Sequence, residues 1–142
     1  MDILILRGTS LYGSGLKRQL IYDACLKISK RKKIFFGTGK EIRDFMNIYD
    51  FTDLIKCIIF KGFAGYNVVN AGTGVGTKIS MVISYIIKKF KIKLKPKFNK
   101  LGKDENPISL VPDIRKSKDY NWYPKINLYK GLDDYIDWFK ND

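Results

Sequence analysis

The chain has no histidine, two cysteines and four prolines among its 142 residues. Without an imidazole, neither a Ser-His-Asp nor a Cys-His nucleophile can be assembled from it. Cys25 and Cys57 stand far apart and outside any CxxC spacing, so no zinc or other metal centre is expected. Both fall in segments of helical pattern and read as buried cytosolic thiols. No stretch approaches the roughly 20 uninterrupted apolar residues of a membrane-spanning helix. The opening Met1-Asp2-Ile3-Leu4-Ile5-Leu6-Arg7 lacks the basic start and the apolar length of a secretory signal, and reads instead as a buried strand. A cytoplasmic protein without a membrane partner is the default. Internal repeats and low-complexity linkers are also absent.

What is present suffices for one folded domain. Hydrophobic residues make up 45% of the chain and aromatics 14%, which argues for a core and against disorder. The formal charge is +13, from 27 Lys and Arg against 14 Asp and Glu. Such an excess can mark a nucleic-acid surface, but here the lysines are spread along the sequence and no recognised nucleic-acid motif accompanies them. A positive field also suits a small anionic ligand.

The apolar pattern gives an alternation of strands and helices. Residues 2–7 read as a strand, 8–15 as a glycine-bearing loop, and 16–30 as a helix, with Leu16, Leu20, Ile21, Ala24, Cys25 and Ile28 at helical spacing. A short strand at 34–36 closes in the turn Gly37-Thr38-Gly39. A second strand is expected at 42–48, then a helix to about residue 60, capped by Asp50, with Leu54, Ile55, Ile58 and Ile59 inward. Residues 66–70 form an apolar strand, and Thr77 or Ser80 caps a helix over 80–90. Lysine alternates with apolar groups over 91–98, the mark of a half-buried edge strand. Residues 99–106 read as a polar, mobile loop, 113–119 as a short helix, and 128–140 as a final helix with Leu132, Tyr135, Ile136 and Phe139 on one side. The order is that of an α/β fold.

Two features invite a chemical reading. Gly72-Thr73-Gly74-Val75-Gly76, between a strand and a helix, is either a phosphate-binding loop or a tight turn that needs positive φ; it matches neither GxGxxG nor a Walker loop. Lys78 lies where it could reach an anion bound there. Arg43 sits mid-strand among large apolar groups, where burial is costly without an anionic partner. That partner is either a neighbouring carboxylate (Asp44, Asp50 or Asp53) or a phosphate held by two parallel hydrogen bonds.

The residues around Arg43 also carry a resemblance. Phe36-Gly37-Thr38-Gly39-Lys40-Glu41-Ile42-Arg43-Asp44-Phe45-Met46-Asn47-Ile48-Tyr49-Asp50 resembles the YGdG-x-x-x-RDF-(I/M)-x-V-x-D run of the extended short-chain dehydrogenases/reductases, the NAD-dependent epimerases and dehydratases of nucleotide-sugars. Leu6-Arg7-Gly8-Thr9-Ser10-Leu11-Tyr12-Gly13 is similar to the family's LR-x-x-N-x-YGP, and Tyr66 to Gly76 to its strand-to-helix glycine turn. Pro112 to Lys118, Asn121 to Lys125, Gly131-Leu132 and Trp138-Phe139 resemble its D-I-S-K-A-K, LGW-x-PK, GL and WF stretches. The matches stand in the family's order and span nearly the whole chain.

The resemblance implies the C-terminal portion only of such an enzyme: an α/β piece with two strands (2–7 and 66–70) of an otherwise missing Rossmann sheet. Residues 1–142 would form a single incomplete domain, with the N-terminal NAD(P)-binding half absent. Arg43 matches the family's diphosphate-binding arginine, Phe36 a position lining the nucleotide base, Ser10 a substrate-contacting asparagine, and Lys78 a substrate-facing position. Thr9 and Leu11 match positions near the nicotinamide of NAD or NADP. Lys100-Leu101-Gly102-Lys103-Asp104 stands where members carry a second phosphate-gripping arginine, and Trp122, Trp138 and Phe139 match packing positions. The catalytic Tyr-x-x-x-Lys pair is not supplied by Tyr85-Ile86-Ile87-Lys88 or by Tyr22-Asp23-Ala24-Cys25. The expected function is therefore the substrate-binding portion of an epimerase or dehydratase in carbohydrate metabolism, as in cell-surface polysaccharide biosynthesis. It would be inactive and without bound cofactor alone, and would take a nucleotide-diphosphate sugar, with a separate Rossmann half or a second copy as partner. A free-standing nucleotide-sugar-binding module and a basic nucleic-acid-binding protein are the alternatives.

Overall fold

The computed structural model describes residues 1–102 and 106–142. Parallel pairing dominates it. Strand β1 (Ile3–Gly8) pairs in parallel with β6 (Tyr66–Ala71), β2 (Ser10–Tyr12) with β5 (Phe45–Asn47), and β3 (Ile34–Phe35) with β8 (Lys97–Phe98). In the fourth sheet β4 (Ile42–Arg43) lies between β9 (Ser109–Leu110), which is parallel, and β7 (Thr77–Lys78), which is antiparallel. Parallel strands need crossovers, and helices supply them. Helix α1 (Gln19–Ser29) and helix α2 (Ile48–Lys61) follow β2 and β5, and α3 (Ile79–Lys89) follows β7. The short α4 (Arg115–Lys118) and the last helix α5 (Leu128–Asn141) complete the fold.

These pairings correct the expectation of two strands from an otherwise missing Rossmann sheet. Parallel α/β structure runs through the whole described chain, in four small sheets packed with helices. Strands β2, β7 and β9 fall where the sequence pattern shows only loop, because two- or three-residue strands are too short for a period-two signal. The strand expected over 42–48 is divided at Asp44, and Ile48 already begins α2.

The core has two parts. Helices α1, α3 and α5 bury Ile28, Ile83, Ile86, Leu132 and Ile136 against Tyr12, Phe35 and Phe45. Under α2, Leu54 and Ile58 meet Met46, Ala71 and the fully buried Trp122, with Leu4 and Leu6 of β1 closing one side. Trp122 and the half-buried Trp138 and Phe139 are packing residues. In α2 the apolar stripe is narrower than expected, since Ile59 is 66% exposed. Strand β1 is not buried on both faces: Leu4 and Leu6 turn inward, while Ile3 and Ile5 stay exposed. Cys25 is buried, whereas Cys57 is only half-buried.

Helix ends differ from expectation for identifiable reasons. Asn47, not Asp50, caps α2, its Oδ1 accepting from the Tyr49 N–H at 3.0 Å. Asp50 is buried and accepts instead from the N–H groups of Lys125 and Ile126, which fastens α2 to the loop before α5. No side chain caps α3; the first N–H groups of Ile79 and Ser80 reach the carbonyls of Glu41 and Gly39. Over 91–98 only Lys97–Phe98 is paired as a strand, though exposure alternates as expected. The polar loop expected at 99–106 and the Lys100 to Asp104 segment lie in part outside the described residues.

Candidate functional site

The division of the strand at Asp44 organises the site. Asp44 is fully buried and its carboxylate turns into the glycine segment that follows β6. It accepts from the Thr73 N–H at 2.9 and 3.0 Å, the Thr73 hydroxyl at 2.6 Å and the Gly74 N–H at 2.7 Å. The donors that a phosphate would need at residues 72–76 are thus taken by an internal carboxylate, and the segment is a tight turn. Its glycines are required there: Gly74 has φ +76°, and a Cβ on Gly72 would strike Pro112 and the Asp44 carboxylate.

With Asp44 committed inward, its neighbour Arg43 has no carboxylate partner among the described residues. One guanidinium nitrogen donates to the carbonyls of Ile42 at 2.8 Å and Pro107 at 2.9 Å. Those two bonds use both hydrogens of Nη1, and the Nη2 and Nε N–H groups meet no acceptor among the described residues. The side chain borders two cavities. One, of about 400 Å³, is walled by Phe35, Phe36, Ile79 and Ile83, with Asp23 at its edge. The other, of about 190 Å³, is bordered by Ser10, Leu11, Arg18, Gln19 and Tyr135.

Of the residues singled out in the sequence, Arg43, Phe36, Ser10 and Leu11 come together around these cavities. Thr9 does not: its hydroxyl donates to the Ala71 carbonyl at 3.3 Å beside the glycine turn. Lys78 does not either. It pairs opposite Ile42, whereas Thr77 is opposite Arg43, and directly opposed residues share a face of the sheet. Lys78 is therefore on the other face.

Three features escaped the sequence reading. Arg18 and Gln19 form the entry to α1, whose first turn has no side-chain cap, and residues 18–21 at this positive dipole end line the smaller cavity. Gln19 adopts φ +65°, a strained conformation that no sequence pattern announces. Glu41, 7% exposed, borders the larger cavity; its Oε1 accepts from the Thr38 N–H at 2.7 Å and hydroxyl at 2.9 Å. Burial raises this carboxyl, but the hydrogen bonds from the Thr38 loop outweigh it and hold the group below its usual range.

Tyr85 also needs correcting. Its partner at Tyr-x-x-x-Lys spacing is Lys89, one residue beyond the Lys88 considered in the sequence. In α3 the two do approach, the Lys89 ammonium lying 5.3 Å from the Tyr85 ring centre. Both are tied to Asp133 of α5, at 2.8 and 2.7 Å. Burial and the Asp133 carboxylate raise the Tyr85 hydroxyl above its ordinary range, opposite to what a general base needs. The pair joins two helices and borders neither Arg43 cavity.

No protein-family model matches the chain. Its fold is that of known NAD-dependent nucleotide-sugar enzymes. UDP-glucuronic acid 4-epimerase from Bacillus cereus, solved with UDP-glucuronic acid and NAD, superposes with a TM-score of 0.90 at 24% identity, over 99% of this chain and 46% of that one. UDP-glucose 4-epimerase from Thermotoga maritima, solved with UDP-glucose, gives 0.85 at 19% identity, over 97% and 46%. UDP-glucuronic acid decarboxylase 1 of Arabidopsis thaliana is 28% identical over 80% of the chain and 26% of its own length. The chain spans between 26% and 47% of the length of the curated relatives it matches.

The nucleotide-sugar and epimerase/dehydratase character of the resemblance thus stands, and two expectations change. The likeness covers nearly the whole chain and includes its parallel sheets, so it is not one to a Rossmann-lacking C-terminal portion. Because the similar proteins are catalysing enzymes, the reading of a non-catalytic substrate lobe or binding module is not retained, nor is that of a nucleic-acid-binding protein. No helix of the described residues is long and apolar enough to cross a membrane, and no cluster of metal-ligating side chains occurs among them.

Proposed function

We propose that the chain serves NAD(P)-dependent conversion of a nucleotide-diphosphate sugar, of the epimerase or dehydratase kind. In this reading the diphosphate rests between Arg43, Arg18 and the start of α1. The observation that carries it is the Arg43 guanidinium, which keeps its Nη2 and Nε N–H groups turned to no acceptor among the described residues at the border of two cavities. A planar fork of this kind grips phosphate oxygens through parallel bonds, and an uncapped helix start favours the same charge. Phe36, 54% exposed, offers a ring face to the nucleotide base in the larger cavity, and Ser10 a hydroxyl to the sugar side in the smaller one.

NAD(P), when bound, supplies the hydride acceptor. The fit of the chain's own residues to that group is modest. Leu11 is half-buried at the smaller cavity and suits the edge of a nicotinamide ring, whereas the Thr9 hydroxyl is already engaged with Ala71. What these residues do on their own is bind and orient the sugar nucleotide, which lowers the entropic barrier of any reaction at the sugar.

Calorimetric titration with UDP-, dTDP- and GDP-sugars tests the proposal on the wild-type chain and on Arg43→Ala. Loss of two charge-assisted hydrogen bonds weakens binding on the order of 100-fold. Equal affinity in both proteins, or no sugar-nucleotide binding by the wild type, would refute it.

A further inference from the structure

Lysines that look dispersed in the sequence are gathered by the β3–β8 pairing. No Asp or Glu occurs between Asp23 and Glu41, nor between Asp53 and Asp104. Those two acid-free stretches meet where the Lys97 N–H donates to the Lys33 carbonyl at 2.7 Å and Ile34 pairs with Lys97. The run Lys30-Arg31-Lys32-Lys33 is thereby laid beside Lys91, Lys93, Lys95 and Lys97, all of them exposed. None of these eight cations has an ion-pair partner among the described residues.

The arrangement is periodic. Ile92, Leu94, Pro96 and Phe98 are half-buried, so Lys93, Lys95 and Lys97 share the outer face at a spacing of about 7 Å, two residues of extended chain, while Lys91 sits in the left-handed turn after α3. Among the described residues the outer edge of β8 is also unpaired. Lys97 and Asn99 spend their N–H groups on β3, and among the described residues the Phe98 N–H meets no backbone acceptor. Pro96, at an outward position, needs none.

Lysines on an open edge ordinarily repel the edge of another copy. The same repulsion is selective, because opposite charges on facing strands attract and like charges do not. Lysine rather than arginine predominates, and the alternate side chains of residues 92–98 point inward, which leaves no exposed aromatic ring between the lysines of that segment of the kind that stacks bases. We infer that this edge docks an extended acidic polypeptide segment with Asp or Glu at every second residue, added beside β8 in register with Lys93, Lys95 and Lys97.

The test is fluorescence anisotropy with two labelled ten-residue peptides of equal composition, one alternating Glu with Ser and one with five Glu followed by five Ser. The alternating peptide is expected to bind at least fivefold more tightly. The triple variant Lys93→Glu, Lys95→Glu, Lys97→Glu should weaken it more than tenfold and gain affinity for a Lys-Ser repeat. The milder triple Gln variant should fall between, and stands in if the Glu variant does not fold. Equal binding of the two Glu peptides, or indifference to the substitutions, overturns the inference. So does tighter binding of a uridine decamer or of phosphatidylserine vesicles than of the alternating peptide.

Discussion

Replacing Asp44 by Ala removes the acceptor for three donors: the Thr73 N–H, the Thr73 hydroxyl and the Gly74 N–H. Leaving a buried donor without its acceptor costs about 1–3 kcal/mol each when nothing replaces the bond. Here Thr73 is half-buried and Gly74 exposed, so water can reach part of the vacated turn. The low end applies, about 1 kcal/mol per donor, for a total of about 3 kcal/mol. With a urea slope of about 2 kcal/mol/M, the unfolding midpoint should fall by about 1.5 M. Asp44→Asn keeps one acceptor oxygen and should lose roughly half as much. Urea titration followed by tryptophan fluorescence reads both, since Trp122 is buried beside α2. Adding Thr73→Val to Asp44→Ala should cost little more, because the hydroxyl has lost the carboxylate and its other bond, from the exposed Val75 N–H, is replaced by water. A midpoint shift below about 0.3 M for Asp44→Ala would refute the reasoning.

Other substitutions have equally definite outcomes. A Cβ on Gly131 of α5 would collide with the Tyr12 hydroxyl, so Gly131→Ala should destabilise by about 1–3 kcal/mol despite better helix propensity. In a Tyr12→Phe background thermal melts should show that loss largely relieved; a rise in wild-type stability with Gly131→Ala would contradict the contact. Burial pushes the Cys25 thiol from 9.0 up to about 12. The unfolded thiol ionises first, so stability is complete below pH 9 and declines as pH rises toward 12. Urea unfolding at pH 8, 10 and 11 should show this decline flattened, though not abolished, in Cys25→Ala, because burial also raises Tyr12 to about 12. Identical pH slopes would show that the thiol is not responsible. Phe36→Ala should weaken sugar-nucleotide binding less than Arg43→Ala and leave the melting temperature nearly unchanged, since the ring is 54% exposed.

Long helices were legible in the sequence because burial writes a 3.6-residue period into them. The buried faces of α1 and α5 are the ones their apolar spacing indicates. Short strands were not, since β4 and β7 are two residues each and exist only through pairing with distant chain. Arg43, Phe36, Ser10 and Leu11, which border the two cavities, stand in the family-like motifs of the sequence. Arg18 does not, and a charged residue before a helix is unremarkable until its neighbours in space are known. Asp44 stood with Asp50 and Asp53 as one carboxylate alternative to a phosphate on Arg43, on adjacency alone. Successive side chains on an extended chain leave in opposite directions, so the two were the residues least able to meet. Counting one residue short hid Lys89, although its union with Tyr85 and Asp133 joins helices rather than activating the hydroxyl.

The pleat between residues 43 and 44 sorts two opposite charges into separate compartments. A negative group is sealed where only protein reaches it, and a positive one is left at the opening with no carboxylate competitor among the described residues. Exchanging their order would therefore do more than swap two side chains. It would drive a cation into the glycine turn, where only N–H and O–H donors await it, and set an acid at the border of the two cavities. A double exchange that preserves composition and net charge should be more damaging than either single neutral substitution.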